Sequence, residues 1–352
     1  MKILVRLPNW IGDAVMAVPA LERIRFGFPE AELFLLGREP AVSLFDHHPG
    51  LSFLFKIPGK GWKEDLKTAT RLFPFHFQKG FLFTNSFLSA LTFTLAGVQE
   101  RIGYNRDGRG LLLHRAIEPD FSTRKPFVQY YLDLVAAYGL EQPPSPRVAL
   151  HLGDEEREWA LSQLGPAQGP RIGIAPGAAY GDTKKWFPER FRRTALLLEE
   201  AFHCQTFVFG GSGDKEDCLK ASTPTSKNLA GVTSIRQTMA LLERMDLLLC
   251  NDSGLMHLAS ALGTPVLAVF GPTSPTSTPP ATPPFPILHP PPPPPPPPPR
   301  PPPPPPPPST PPNTPPPNPP LPILHPPPPL RPLPSSGLPL RPQALHEGRL
   351  RR

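Results

Sequence analysis

The sequence predicts an α/β protein with two doubly wound domains of parallel sheet and a proline-rich tail. Three observations carry this. Up to Phe270, short apolar runs alternate with stretches of helical period, a pattern that buries a parallel sheet under helices on both faces. The same opening, an apolar strand entering a glycine-containing loop and then a helix, occurs at residues 3–7 and again at residues 171–175. Of the 59 prolines, 18 precede Pro272 and 41 lie from Pro272 onward, so the composition breaks there. The run Gly165-Pro166-Ala167-Gln168-Gly169-Pro170 is the connection between the domains. We therefore expect a first domain at residues 1–165, a second, truncated domain at 166–278, and an unstructured tail at 279–352.

In chain order, Ile3-Leu4-Val5-Arg6-Leu7 is the first strand, and Val15, Val18, Leu21 and Ile24 give one apolar face to a helix over 14–26. Strands follow at 31–36, 53–57 and 80–83, with helices at 42–46, 63–72 and 86–96. Residues 101–110 read as a basic loop, and 127–138 and 154–164 as helices. The second domain has strands at 171–175, 206–209 and 247–250 and a helix opened by Pro188, which suits a first helical turn. A helix over 234–244 precedes the last unit. There the strand Leu247-Leu248-Leu249-Cys250 enters the turn Asn251-Asp252-Ser253-Gly254 and a helix stopped by Gly263, before the buried strand at 266–270.

The formal charge of +7 does not mark a nucleic-acid binder, because six arginines and one glutamate beyond Pro272 supply five of those charges. Cys204, Cys218 and Cys250 lack metal-ligand spacing and read as reduced thiols of a cytoplasmic protein. Pro8 interrupts the apolar start too soon for a signal peptide, and no stretch reaches membrane-spanning length.

Candidate site residues lie at strand-to-helix switches, the end of a parallel sheet that faces the ligand crevice. Gly12-Asp13 follows the first strand, where Asp13 either caps the helix or projects as a general base. Ser253 and Gly254 open a helix whose free N–H groups and dipole favour an anion, with His257 in its first turn; a plain structural cap is the alternative. Lys184 and Lys185 stand in a glycine-containing loop without Walker spacing. In Gly211-Ser212-Gly213-Asp214-Lys215-Glu216 the dinucleotide fingerprint fails at its third glycine, leaving Glu216 to accept from a ribose or to face solvent. The arginines Arg101, Arg106 and Arg109 either meet an acidic acceptor or are solvated.

Taken in order, Gly12-Asp13, Lys184-Lys185-Trp186-Phe187-Pro188 and Asp252-Ser253-Gly254-Leu255-Met256-His257 resemble the ADP-heptose:lipopolysaccharide heptosyltransferases, glycosyltransferase family 9. Pro8-Asn9-Trp10-Ile11-Gly12-Asp13, Ala175-Pro176-Gly177-Ala178-Ala179-Tyr180-Gly181 and Phe270-Gly271-Pro272-Thr273 most resemble the heptosyltransferase II members of that family, and the similarity covers residues 1–278. The resemblance implies a GT-B architecture: two Rossmann-like domains, the first binding acceptor and the second ADP-heptose, with the active site in the cleft between them. It implies inverting transfer of heptose to the lipid A–core acceptor, with Asp13 as general base. Lys184, Ser253, Gly254 and His257 would hold the diphosphate in place of a metal, Asp252 and Glu216 would bind the donor, and Gly12, Arg106 and Arg109 would lie on the acceptor side. No cofactor beyond the donor substrate is implied, no nucleic-acid partner, and a cytoplasmic enzyme touching the inner-membrane surface transiently.

Beyond Thr278 the resemblance stops. Ten prolines (Pro290–Pro299), Arg300 and eight more prolines predict a solvated polyproline II rod. The echo of Ile287-Leu288-His289-Pro290 in Ile323-Leu324-His325-Pro326 suggests expansion from a simple repeat. A shifted reading frame and a genuine ligand for SH3-like domains are the two readings of the tail, and a nucleotide-binding remnant is the alternative to an active enzyme.

Overall fold

A computed structural model describes residues 1–59, 61–121, 125–141, 148–178 and 182–271, together with 273, 275 and 287–288. The expected tail lies outside the described residues except for that last pair.

The first half runs β1 (Lys2–Arg6), α1 (Ile11–Met16), α2 (Val18–Gly27), β2 (Glu32–Arg38), β3 (Phe53–Ile57), α3 (Trp62–Leu72), β4 (Lys79–Leu82), α4 (Phe87–Leu95), β5 (Glu100–Tyr104), β6 (Arg115–Ile117) and α5 (Phe127–Ala137). Its sheet has the order β3-β2-β1-β4-β5-β6, parallel throughout. The second half runs α6 (Asp154–Leu164), β7 (Arg171–Ala175), α7 (Pro188–Phe202), β8 (Gln205–Val208), α8 (Lys215–Ala221), β9 (Lys227–Asn228), α9 (Ile235–Leu242), β10 (Leu247–Asn251), α10 (Gly254–Ala261), β11 (Val266–Val269) and β12 (Ile287–Leu288). Its order β12-β11-β10-β7-β8-β9 is again parallel. The central strands are apolar because both faces are covered: Ile3, Leu4 and Val5 of β1 and Leu248 and Cys250 of β10 are fully buried.

Several elements differ from the sequence pattern. The helix expected over 14–26 divides at Ala17, with Pro19 in the first turn of α2, where its missing N–H costs no helical hydrogen bond. Residues 42–45 form a single 3₁₀ turn. The basic stretch 101–110 is largely β5, whose Gly103 lets Leu82 and Arg109 pack closely. The expected boundary at 165 places α6 with the first domain, while in the structure α6 is tied to α9 by Arg236 on Glu156 at 2.6 Å, and by Arg157 on Glu243 just beyond α9 at 3.1 Å. The sheet also continues past Thr278, because Ile287 and Leu288 pair with Ala268 and Val269 of β11.

The halves meet where α1 crosses α10 start to start. A Cβ on Gly12 would stand 2.9 Å from His257 Cδ2, and one on Gly254 would stand 3.0 Å from Ile11 Cβ. Two glycines thus let the helix starts touch. One continuous apolar core runs from Val15 in α1 to Met256 in α10.

Candidate active site

The site assembles at the carboxyl ends of the strands, around this helix crossing. Asp13 lies in the first turn of α1 and lines a cavity of about 480 Å³ on the first half. Burial raises its pKa above the usual carboxylate value, and the positive charge of Lys184, from the second half, opposes the rise. A carboxylate whose pKa is raised is a better proton acceptor in its ionised form.

Facing it is the start of α10. Ser253 has the extended backbone of an N-cap, but among the described residues its buried Oγ has no hydrogen-bond partner, so it does not act as the plain structural cap of the alternative reading. His257 is 4 % exposed, and among the described residues its buried Nδ1 has no hydrogen-bond partner. Burial lowers the His257 pKa to about 4, with Asp252 opposing and Lys184 adding to the shift. The ring is therefore neutral at neutral pH and offers hydrogen bonds rather than charge. Such polar atoms beside a helix start form a polar cradle suited to a hydrogen-bonding ligand, because buried polar groups are otherwise paired.

The charge comes from Lys184. Its Nζ lies 2.7 Å from Asp252 Oδ2, which also accepts from Thr273 Oγ1 at 2.7 Å. Asp252, 4 % exposed, thus holds the lysine in place instead of standing open to a ligand. Asn251, fully buried, was not singled out in the sequence and fixes the surrounding loops. Its Oδ1 accepts from Trp186 N at 3.0 Å, and its Nδ2 donates to Pro176 O at 2.7 Å. These contacts follow from the order β11-β10-β7, which makes the loops after three strands neighbours. Lys185 leaves the cradle to pair with Asp217 at 2.9 Å. Glu216 also stays outside the cluster, its side chain 80 % exposed and paired with Lys220. The carboxylate that turns toward the loop after β7 is Asp214, which lies against Gly177 and accepts from Gly211 N at 2.9 Å.

On the other side Arg106 lines the cavity, its guanidinium 5.2 Å from the Phe121 ring centroid. Arg109 does not face an acceptor. It is fully buried, donates from Nε to Tyr104 O at 2.8 Å and from Nη1 to Thr84 O, and burial lowers its pKa to about 10. The turn after β5 folds it back beneath the cavity wall, so it braces the backbone on which Thr84 and Tyr104 are carried. Gly12 is likewise a helix-contact residue, filled against by His257.

The chain matches glycosyltransferase family 9 (heptosyltransferase) over residues 68–288. It belongs to that family. Lipopolysaccharide heptosyltransferase 2 of Escherichia coli K12 is 29% identical over 299 residues, covering 80% of this chain and 85% of the relative. Lipooligosaccharide heptosyltransferase 2 of Campylobacter jejuni is 28% identical over 291 residues, covering 80% and 84%. The structure of the Escherichia coli ADP-heptose lps heptosyltransferase II superposes with a TM-score of 0.73 at 28% identity, over 82% of this chain and 90% of that one. A family 9 glycosyl transferase from Veillonella parvula shares the fold with a TM-score of 0.75 at 19% identity, over 82% and 85%. The GT-B architecture of this family 9 chain is thus the one the paired parallel sheets describe. Among the described residues no helix is long and apolar enough to cross a membrane.

Proposed function

We propose that this family 9 enzyme transfers heptose from ADP-heptose to the inner core of lipopolysaccharide, by one inverting displacement. The observation that carries the reading is the placement of Asp13 opposite the α10 start, with Lys184 close enough to act electrostatically on both Asp13 and His257.

Asp13 takes the proton of the acceptor hydroxyl as its oxygen attacks the anomeric carbon, and the bond from that carbon to the diphosphate oxygen breaks. The leaving ADP carries away the bonding pair. Its growing negative charge is met by Lys184, by the free N–H groups at the α10 start, and by donors from Ser253 Oγ and His257. Asp252 keeps Lys184 aimed. In this reading the lysine and the helix start perform the charge neutralisation, and no cofactor takes part. The acceptor is a lipid, so the enzyme works on the cytoplasmic side in transient contact with the inner-membrane surface. The relatives match over more than four-fifths of their length, and β12 extends the second sheet, which favours an active enzyme over a nucleotide-binding remnant.

The test incubates purified protein with ADP-heptose and a lipopolysaccharide acceptor truncated in its heptose region, and follows the added sugar by mass. The Asp13→Asn variant should lose about 10²–10⁴-fold in rate while ADP affinity stays unchanged. Near-normal turnover by that variant would remove Asp13 from its role.

A further inference from the structure

The cavity beside Asp13 is walled by the loops after β1 and β4 and by α5, and two of its polar side chains are held in matching ways. Asn9, in the loop after β1, accepts on Oδ1 from Arg6 Nη2 at 3.0 Å. Arg6 is 4 % exposed and is itself anchored by Leu7 O at 2.8 Å and Leu36 O at 3.4 Å. A guanidinium only donates, so the Asn9 atom that meets it is the oxygen, and the amide's N–H groups point away from Arg6. Asn85, in the loop after β4, accepts on Oδ1 from the Tyr130 hydroxyl at 3.1 Å. Tyr130 is fixed in turn: its ring lies 4.3 Å from that of Tyr104, and its carbonyl accepts from the Tyr104 hydroxyl at 2.6 Å. Among the described residues neither asparagine Nδ2 has a hydrogen-bond partner.

We propose that Asn9 and Asn85 determine acceptor specificity, presenting their amide N–H groups to oxygen atoms of the acceptor sugar beside the hydroxyl that Asp13 deprotonates. This rests on the glycosyl-transfer reading and adds to it how the acceptor is recognised. The ligand chemistry is that of lone-pair oxygens: sugar hydroxyls, ring oxygens or a carboxylate. Arg6 and Tyr130 act through the asparagines and are positioning residues.

The experiment measures initial rates of the full chain with ADP-heptose and the heptose-truncated lipopolysaccharide, each varied in turn. Asn9→Asp and Asn85→Asp keep the side-chain shape and the partners Arg6 and Tyr130 while removing the donors; Asn9→Ala and Asn85→Ala remove the donors without adding charge. Each variant should raise the acceptor KM about tenfold, the loss of one or two hydrogen bonds to substrate, and leave the ADP-heptose KM unchanged. Tyr130→Phe frees the Asn85 amide to rotate and should raise the acceptor KM about threefold. Titration of the deacylated inner-core oligosaccharide in the absence of donor gives a second readout that does not depend on turnover, and the variants should weaken that binding by the same factor. If the wild type transfers heptose and the variants keep its acceptor KM and oligosaccharide affinity, the assignment of the asparagines is overturned and the transferase reading stands. An equal rise in donor KM would make them structural supports and overturn it too. If the wild type neither transfers heptose nor binds the oligosaccharide, the transferase reading fails and takes the assignment with it.

Discussion

Acidification should unfold the protein partly through one ring. His257 is buried and neutral, with a pKa of about 4 against the ordinary 6.5, and the charged groups facing it are Asp252 and Lys184. Between those two values the unfolded chain binds the imidazole proton and the folded chain does not. The folded pKa is depressed, so this contribution to stability is complete above pH 6.5 and is lost as pH falls toward 4. At 1.36 kcal/mol per unit, the loss from this residue is about 2 kcal/mol at pH 5 and about 3 kcal/mol at pH 4. His257→Gln keeps a polar side chain in the slot beside Gly12 and has no proton to gain. Urea unfolding at pH 7.5 and at pH 5 measures the difference for each protein. The wild type should lose about 2 kcal/mol more than the variant between the two conditions, carboxylate titration being common to both. Equal losses would show that the ring takes up its proton without unfolding and would refute the buried, neutral assignment.

The remaining predictions concern the cleft. Lys184→Met should weaken ADP binding about 10–100-fold, read by calorimetry, because a charge-assisted contact is removed. It should also move the acid limb of the rate–pH profile upward, since Lys184 is the charge that holds the raised Asp13 pKa down; an unmoved limb would separate the two residues. Gly12→Ala forces a methyl to 2.9 Å from His257 Cδ2 and should cost about 1–3 kcal/mol in thermal or urea unfolding. Adding His257→Ala opens the slot, so the double variant should be less destabilised than the sum of the two single changes; strict additivity would argue against the contact.

Local patterns were enough for much of the fold. The apolar run of β10, the turn that follows and the helix stopped by Gly263 were legible because strand burial and helix ends are written in neighbouring residues. β5 was not, since Arg101 and Gly103 disguise a strand whose fit depends on Leu82 and Arg109 packing against it. At the site, residue type and position at a strand end pointed to Asp13, Lys184 and the start of α10. Arg109 misled, because an arginine in a polar stretch looks solvated until the carbonyls of Thr84 and Tyr104 are known to await it.

By itself, then, the sequence determined much of where strands end and helices begin, and so set its candidate residues at the crevice end of two parallel sheets. Only the tertiary structure decided which of them touch there. Lys184 and Asp252 are 68 residues apart and meet because β7 and β10 are neighbours in the sheet. Gly12 and His257 meet because two helix starts from different halves cross at contact distance. The Ser253 hydroxyl has no partner among the described residues, since whether it caps the helix depends on the geometry of the folded turn. Periodicity and spacing record the local backbone; partners in space, and the burial that shifts a pKa, arise only when distant segments pack.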